Sequence, residues 1–490
     1  MATKKTSGRT GKKRAAREKI FVVAFKTKRS ADVLSITDNL DEAKSASIPK
    51  LEKSPDGPRK PVDDKNTFAS LQRDVTRTIR KHLALDHLMS VLDGLKGDFQ
   101  FVFKIDPTLK KYGAVVFEDE TRKIFEMDNA HISELTRSLR DATEGVRGIQ
   151  QLPRLCLIGL ISEYDVFLHR LIRTGLAAHE GNLARIERSL SLKELRQFGT
   201  IDEAKEYLIE REIDTILYDD HFEQLSSISK LFNITIDMAD DCVKTFLESC
   251  ERRNLFTHND GVVNSRYLGK CKQFGISTGG LKAGDVLDVK SRYYNDAIST
   301  THELSIKLIQ FLWRKLVPAE RKQADEELND AAYELLRAGD FALAERILDY
   351  ALEHAGPRED YMRRMMIINH ALAVKRTGDK ERAVKELERV DWSASAMKFQ
   401  IAVAAVNDDM DGIVRMMPSV AQSELGEQEF RVWPVFKEAR ADKRFQDTFR
   451  KLFGSELVSA STIAASRALQ ESENISSPER SQSEVKITKH

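Results

Sequence analysis

Arginine, asparagine and histidine stand together in Arg253-Asn254-Leu255-Phe256-Thr257-His258, which supplies a guanidinium, an amide and an imidazole within one short segment. A guanidinium can stabilise charge on a phosphate, and an imidazole can take or give a proton near neutral pH. An amide can orient either of them. The segment extends a helical pattern whose apolar stripe runs through Ala239, Val243, Phe246 and Cys250 at i, i+3/i+4 spacing. The next positions on that stripe are Arg253 or Asn254, then Thr257 or His258. Polar groups on a core-facing row must be satisfied, because burying a neutral one unpaired costs roughly 2–7 kcal/mol. At about 100° per residue, Arg253 and His258 lie about 140° apart on an ideal helix, whereas Asn254 and His258 share a face. Three arrangements would bring all three groups together: a long arginine reach, a helix that loosens at its end, or a second copy of the motif across a two-fold axis. The plain structural role for Arg and His in a last turn is to complement the C-terminal helix dipole.

The helix that carries the motif is expected to begin near Thr235, with Asp237, Asp240 and Asp241 in its first turns, where the dipole favours anions. It should stop at Asn259-Asp260-Gly261, a sequence suited to the left-handed conformation that ends helices. A second helix, over 155–175, is apolar on most sides, with Ile158, Ile161, Tyr164, Leu168 and Leu171 along one stripe, and is expected to be central. Two acids interrupt it, Glu163 and Asp165. They would either pair with arginines of the bundle or orient the Arg or His of the motif. Arg252 reads as a phosphate-contacting or solvent-facing neighbour. Ser191 with Glu194 and Thr200 with Glu203 match the capping-box pattern that opens helices. A further helix over 293–316 closes at Pro318, after a possible short strand at 286–289. Several long helices in this stretch predict a bundle.

At 490 residues the chain suggests about three domains at about 150 residues each. Its net charge of +1 leaves no overall positive field, so any nucleic acid must be held by local patches. Four scattered cysteines, with no CxxC, argue against a disulfide scaffold or a zinc ribbon and for a reducing compartment. No apolar run approaches the roughly 20 residues of a membrane span, and the first residues carry no apolar signal core, so the cytoplasm is the expected setting. Residues 1–19 form a basic arm that either touches phosphates or solubilises the chain, and the polar stretch to about Pro61 reads as linker after a short strand at 20–25. Residues 68–89 are helical in pattern, and 99–103, 114–117 and 123–127 are strand-like. No phosphate-loop, dinucleotide-binding or HExxH pattern is present, and the glycines at 279–284 read as a plain loop. No cofactor and no metal site is implied.

From Tyr333 the chain repeats itself. Leu336, Gly339-Asp340-Phe341, Ala344 and Ile347 form one helix-turn-helix plan, and Leu372, Gly378-Asp379, Ala383 and Leu387 repeat it, with a weaker copy around Asn407-Asp408. The Gly can end one helix, the Asp can cap the next, and Ala allows close approach. This resembles tetratricopeptide repeats in divergent form. Trp433-Pro434-Val435-Phe436 with Phe445, Phe449 and Leu452 reads as its capping helices, and the chain after Gly454 is Ser-rich and polar.

Arg253-Asn254-x-x-x-His258, followed by Asn259-Asp260-Gly261-Val262-Val263-Asn264 and Tyr267, resembles the signature of the HEPN superfamily. The fuller stretch from Arg252 to Leu268 resembles its RiboL-PSP-HEPN-type branch of prokaryotic conflict and stress systems, and Ser162-Glu163-Tyr164 is similar to that branch's first bundle helix. The tyrosine that closely follows the His in some toxin branches is absent, with Asn259 and Asp260 in its place. The resemblance spans about 150–317. It implies a metal-independent RNA endonuclease that dimerises so that two motifs line one cleft. His258 would act as general base or acid, Arg253 would stabilise the phosphate, and Asn254 would hold the His or the phosphate.

The expected fold is mainly α: a HEPN helical bundle followed by a short tetratricopeptide-like α-solenoid, with a small mixed α/β N-terminal module. The expected parts are 1–62 arm and linker, 63–149 mixed module, 150–317 bundle, 318–453 repeats and 454–490 tail. The expected partners are an RNA substrate, a second copy of the chain through the bundle, and a protein or peptide ligand of the repeats, with no membrane. Two other readings stay open: a non-catalytic scaffold of the same parts, and a nucleic-acid-binding regulator that uses the basic arm.

Overall fold

In the computed structural model, residues 21–26, 31–37 and, with short gaps, 67–457 are described. The basic arm, most of the linker and the tail beyond residue 457 lie outside the described residues. The protein is mainly helical. Among the described residues the strands form two antiparallel hairpins. In the first, β1 (Phe21–Lys26) pairs with β2 (Ala31–Thr37), so a second strand occupies part of the expected linker. In the second, β3 (Gly113–Glu118) pairs with β4 (Lys123–Met127), at the places the alternating pattern indicates. The strand expected at 99–103 is not formed over Phe99 and Gln100, which continue a helix, and residues 101–104 lie outside the described set.

The helices follow in order: α1 (Phe68–Gln100), α2 (Ile132–Ala177), α3 (Ile201–Tyr218), α4 (His221–Phe232), α5 (Asp241–Asn259), α6 (Ser265–Gln273) and α7 (Ser291–Leu316). After them come α8 (Arg321–Ala338), α9 (Phe341–Tyr350), α10 (Asp360–Thr377), α11 (Lys380–Glu388) and α12 (Met397–Val406), then α13 (Met410–Ser423), α14 (Glu427–Val432) and α15 (Lys443–Phe453). Local signals explain many of the ends. Ser191 forms a full capping box with Glu194, although the helix it opens, Leu192–Leu195, is only one turn long. Thr200 accepts the Glu203 N–H at the start of α3, while Glu203 itself reaches back to Gly199 N–H and not to Thr200. Gly339 and Gly378 close α8 and α10 in the left-handed conformation, and Asp340 and Asp379 accept backbone N–H groups that open α9 and α11.

The described residues fall into two compact units. One lies within 63–409, so stretches that the sequence divides at 149/150 and 317/318 share a single body. The reason is packing. The first boundary falls inside α2, which runs unbroken through Pro153. Helix α1, assigned from sequence to a separate module, buries Phe68, Leu71, Val75, Ile79 and Met89 and packs on α2, α7 and α8. Helix α7 is the most enclosed of these, touching α1, α2, α5, α8 and α9. It shares the centre with the 155–175 part of α2, whose Leu157, Leu160, Ile161, Leu168 and Leu171 are buried. Here α8–α9 and α10–α11 form two helix-turn-helix units, and α12 follows. In the second unit, α14, α15 and the turn at Pro434–Phe436 enclose Phe430, Phe436, Phe445 and Phe449 as an aromatic core. No described helix is long and apolar enough to cross a membrane.

Two tests address this packing. In a helix, Gly→Ala normally stabilises by about 0.5–1 kcal/mol. At Gly175 an added Cβ would sit 2.7 Å from Phe232 Cζ, a fully buried ring. Gly175→Ala should therefore destabilise, by about 1–3 kcal/mol as overpacking does, measured by denaturant titration. The second test uses His370 on α10, which is buried with Nε2 2.8 Å from Asp349 of α9 and Nδ1 2.7 Å from Glu386 of α11. Burial alone would lower its pKa, but the two carboxylates outweigh burial and hold it above the ordinary 6.5. A raised folded-state pKa gives stability that is fully present below pH of about 6.5 and lost as pH rises through the folded value. The melting temperature should fall across that window, and His370→Gln should flatten the fall.

Candidate functional site

Helix α5 begins at Asp241, not near Thr235, because Asp237 and Asp240 turn the preceding chain. Asp237 Oδ1 accepts Ala239 N–H and Asp240 Oδ1 accepts Cys242 N–H at 2.7 Å, fixing Asp240 as the N-cap. The predicted stop is where the helix ends. Asp260 is left-handed at φ 50°, Gly261 follows at φ 79°, and Gly261 N–H donates to Leu255 O. Glycine is required there: a Cβ would lie 2.9 Å from the Phe256 ring and 3.0 Å from Leu287 O. The chain then forms one antiparallel bridge, Val262 to Val286, in place of the expected strand at 286–289. Arg154 of α2 ties down this corner, reaching Asp260, Asp288 and Leu287 O.

The helix stays regular through Asn259, so the loosening that might have merged the three groups does not occur. Arg253 turns toward α2. Its Nη2 lies 3.4 Å from Asp165 Oδ2, while its Nε is buried with no hydrogen-bond partner. The other oxygen of Asp165 accepts from His221 Nε2, at the start of α4, at 3.0 Å. Of the two acids read as partners of arginines or of the motif, Asp165 contacts Arg253, whereas Glu163 goes elsewhere. Glu163 lies 3.5 Å from His82 Nε2, and His82 Nδ1 faces His302 Nε2 at 3.0 Å. Burial holds both of these imidazoles below the ordinary range. Asn254 hydrogen-bonds the carboxylate of Glu251 one turn earlier, and burial lifts that carboxyl above the usual 4.5, with Arg266 and Lys270 opposing. His258 is exposed in the last turn. Within one chain, then, Arg253 and His258 do not converge.

Arg252 requires a correction. It does not face solvent but folds inward, its side chain only 15% exposed, with Nε 2.8 Å from Glu248. Glu248 also accepts Tyr267 OH at 2.6 Å and Tyr293 OH at 2.5 Å, and the Arg252 guanidinium lies 3.9 Å from the centre of the Tyr293 ring. Burial first, then the Glu248 charge, pushes both phenols well above their ordinary range, so both stay donors. Three donors thus converge on one carboxylate. The physical reason is burial: Glu248 is 8% exposed and its charge must be matched on the spot.

Sequence reasoning singled out neither His221 nor Glu248. A histidine directly after Asp219-Asp220 looks like any helix start, and Glu248 lies one turn before Arg252 like an ordinary surface pair. The cysteines are thiols, and burial raises Cys250 well above its ordinary pKa. Among the described residues no group of three or more His, Cys, Asp or Glu is arranged to hold a metal ion. Comparison with family models, with curated proteins and with solved structures finds no match. The arrangement must therefore be read from its own chemistry.

Breaking a buried ion pair costs about 3–5 kcal/mol because the remaining charge is left unpaired. Arg252→Ala should lower stability by about that much in denaturant titration. A variant as stable as the wild type would mean that the inward pose of Arg252 is wrong.

Proposed function

We propose that the chain is a metal-independent endoribonuclease of HEPN type, cutting RNA by attack of a ribose 2′-OH on the adjacent phosphate. One observation carries this reading: Arg253 is left undersatisfied where its neighbour Arg252 is held by a short ion pair to Glu248. Among the described residues Arg253 has one 3.4 Å contact, and its buried Nε has no partner. An unfilled buried donor costs about 1–3 kcal/mol, which a ligand that supplies an acceptor would recover. A phosphate presents the oxygens such a guanidinium lacks.

In this mechanism His258 removes the 2′-OH proton, the 2′-oxygen bonds to phosphorus, and the 5′-oxygen leaves and takes the proton back from the protonated His258. The products are a 2′,3′-cyclic phosphate and a 5′-hydroxyl. Arg253, steadied by Asp165, stabilises the charge that builds on the non-bridging phosphate oxygens. Asn254, held by Glu251, contacts the phosphate or the His. Because Arg253 and His258 diverge on one regular helix, the composite site needs a second protomer, with His258 of one copy serving the Arg253 side of the other. The units α8–α9 and α10–α11 supply a tetratricopeptide-like surface for a protein or peptide regulator, which fits a role in defence or stress.

The exposed position of His258 also suits the scaffold reading, in which the bundle only dimerises. Incubating the full chain with total RNA in excess EDTA separates the two. The nuclease predicts cleavage to cyclic-phosphate ends by wild type and loss of about 100-fold or more in Arg253→Ala and His258→Ala, the scale of a removed acid–base or oxyanion group. Equal cleavage by all three proteins, or by none, rejects it.

A further inference from the structure

We infer that His221 is a positioning residue whose hydrogen bond to Asp165 keeps Arg253 free to receive a phosphate. A carboxylate facing an arginine can close into a bidentate pair, two short parallel N–H···O bonds that fill both oxygens and occupy the edge of the guanidinium. Here that closure is absent. Asp165 gives Oδ1 to His221 Nε2 at 3.0 Å and only Oδ2, at 3.4 Å, to Arg253 Nη2. One oxygen is already taken by the shorter bond, so the carboxylate can steer the guanidinium without capturing it. The geometry requires the proton on Nε2 of His221, which either the neutral tautomer or the cation supplies.

The surroundings fix the imidazole in place. His221 is 7% exposed, with the rings of Tyr164 and Phe246 at 6.1 and 5.7 Å. It occupies the first position of α4, directly after the Asp220 N-cap, and Lys270 of α6 anchors Asp220 at 2.7 Å. Four elements therefore meet at one carboxylate: α2 carries it, α5 brings the arginine, α4 brings the histidine and α6 locks the start of α4. Other arginine–carboxylate contacts of this unit are shorter, as Arg314 with Asp325 at 2.6 Å and Arg170 with Asp74 at 2.9 Å. The Asp165–Arg253 contact is long because a third group competes for the acid.

This inference rests on the nuclease reading for its kinetic arm only, and two substitutions separate positioning from packing. His221→Phe keeps a ring between Tyr164 and Phe246 but removes the donor. His221→Gln removes the ring but returns an N–H near the position of Nε2. Cleavage of a mixed-sequence, fluorophore- and quencher-labelled RNA in EDTA is measured on the full chain, with melting curves to confirm folding. Positioning predicts a fall in kcat of about 100-fold in His221→Phe with little change in KM, as misplacing a reacting group by about 1 Å does, and substantial recovery in His221→Gln. In the Asp165→Asn background, the Phe substitution should add no further loss. A purely structural role predicts the reverse order, with Phe tolerated and Gln impaired, and that order overturns the inference. If wild-type cleavage does not depend on Arg253 and His258, the nuclease reading fails on its own terms. Crystal structures still decide the positioning claim in that case: His221→Phe should show Arg253 closed onto both oxygens of Asp165 and His221→Gln should not. An unchanged single contact in the Phe variant overturns it.

Discussion

A buried charge needs a partner at its own location, and this constraint organises the centre of the molecule. Helix α5 turns Glu248, Glu251, Arg252 and Arg253 away from solvent within two turns. None could remain there if α5 stood alone. Each is matched by a group from another element or a neighbouring turn: Tyr293 from α7, Tyr267 from α6, Asp165 from α2, and Asn254 on α5 itself. The bundle can therefore be described as the set of helices that delivers these partners. Its apolar contacts hold the helices together, and the polar contacts fix where along one another they sit, since a slip by one turn would strand a carboxylate in the core.

How completely each charge is matched divides the cluster in two. Around Glu248 both carboxylate oxygens are used, accepting from Arg252, Tyr267 and Tyr293. Around Asp165 the matching is partial, with a long contact to Arg253 and an orphaned Nε. Two adjacent arginines on one helix thus sit in different chemical states. Sequence alone cannot separate them, because Arg252 and Arg253 are the same residue type one position apart, and what differs is the helix each one faces.

That difference marks what was legible in the chain and what was not. The helix stop was legible, because Asn259-Asp260-Gly261 acts through local backbone preference, and so were the Gly-Asp turns of the repeats and the hairpin at 113–127. Asp165 was legible as a partner because an acid inside an apolar helix has few alternatives. The extent of α1 and its place in the bundle were not. Its pattern weakens after Met89, and membership in a core depends on what packs against it, in this case Trp313 and the faces of α2 and α8. The start of α5 lies later than its acids suggest for a related reason. Acids favoured in a first turn are equally suited to Asx turns just before it, and Asp237 and Asp240 take that second role. Arg252 was misread because solvent exposure is a tertiary property, set here by the ring of Tyr293 forty-one positions away in sequence (293 − 252 = 41).

The roughly 140° between Arg253 and His258, a consequence of about 100° per residue, is therefore more than an awkward detail. A regular helix that ends in a sharp left-handed stop cannot turn both side chains the same way, and α5 is regular to Asn259. If the two groups act on one phosphate, the missing half must come from outside the chain, and symmetry is the simplest source, because a two-fold axis beside α5 presents the His258 face of one copy to the Arg253 side of the other. If they do not, His258 has no structural task that would explain it beyond the helix dipole, yet Arg253 still sits undersatisfied beside a carboxylate that His221 partly occupies. The arginine is therefore the stronger of the two signals, and a role for the histidine at the same phosphate would require a second protomer.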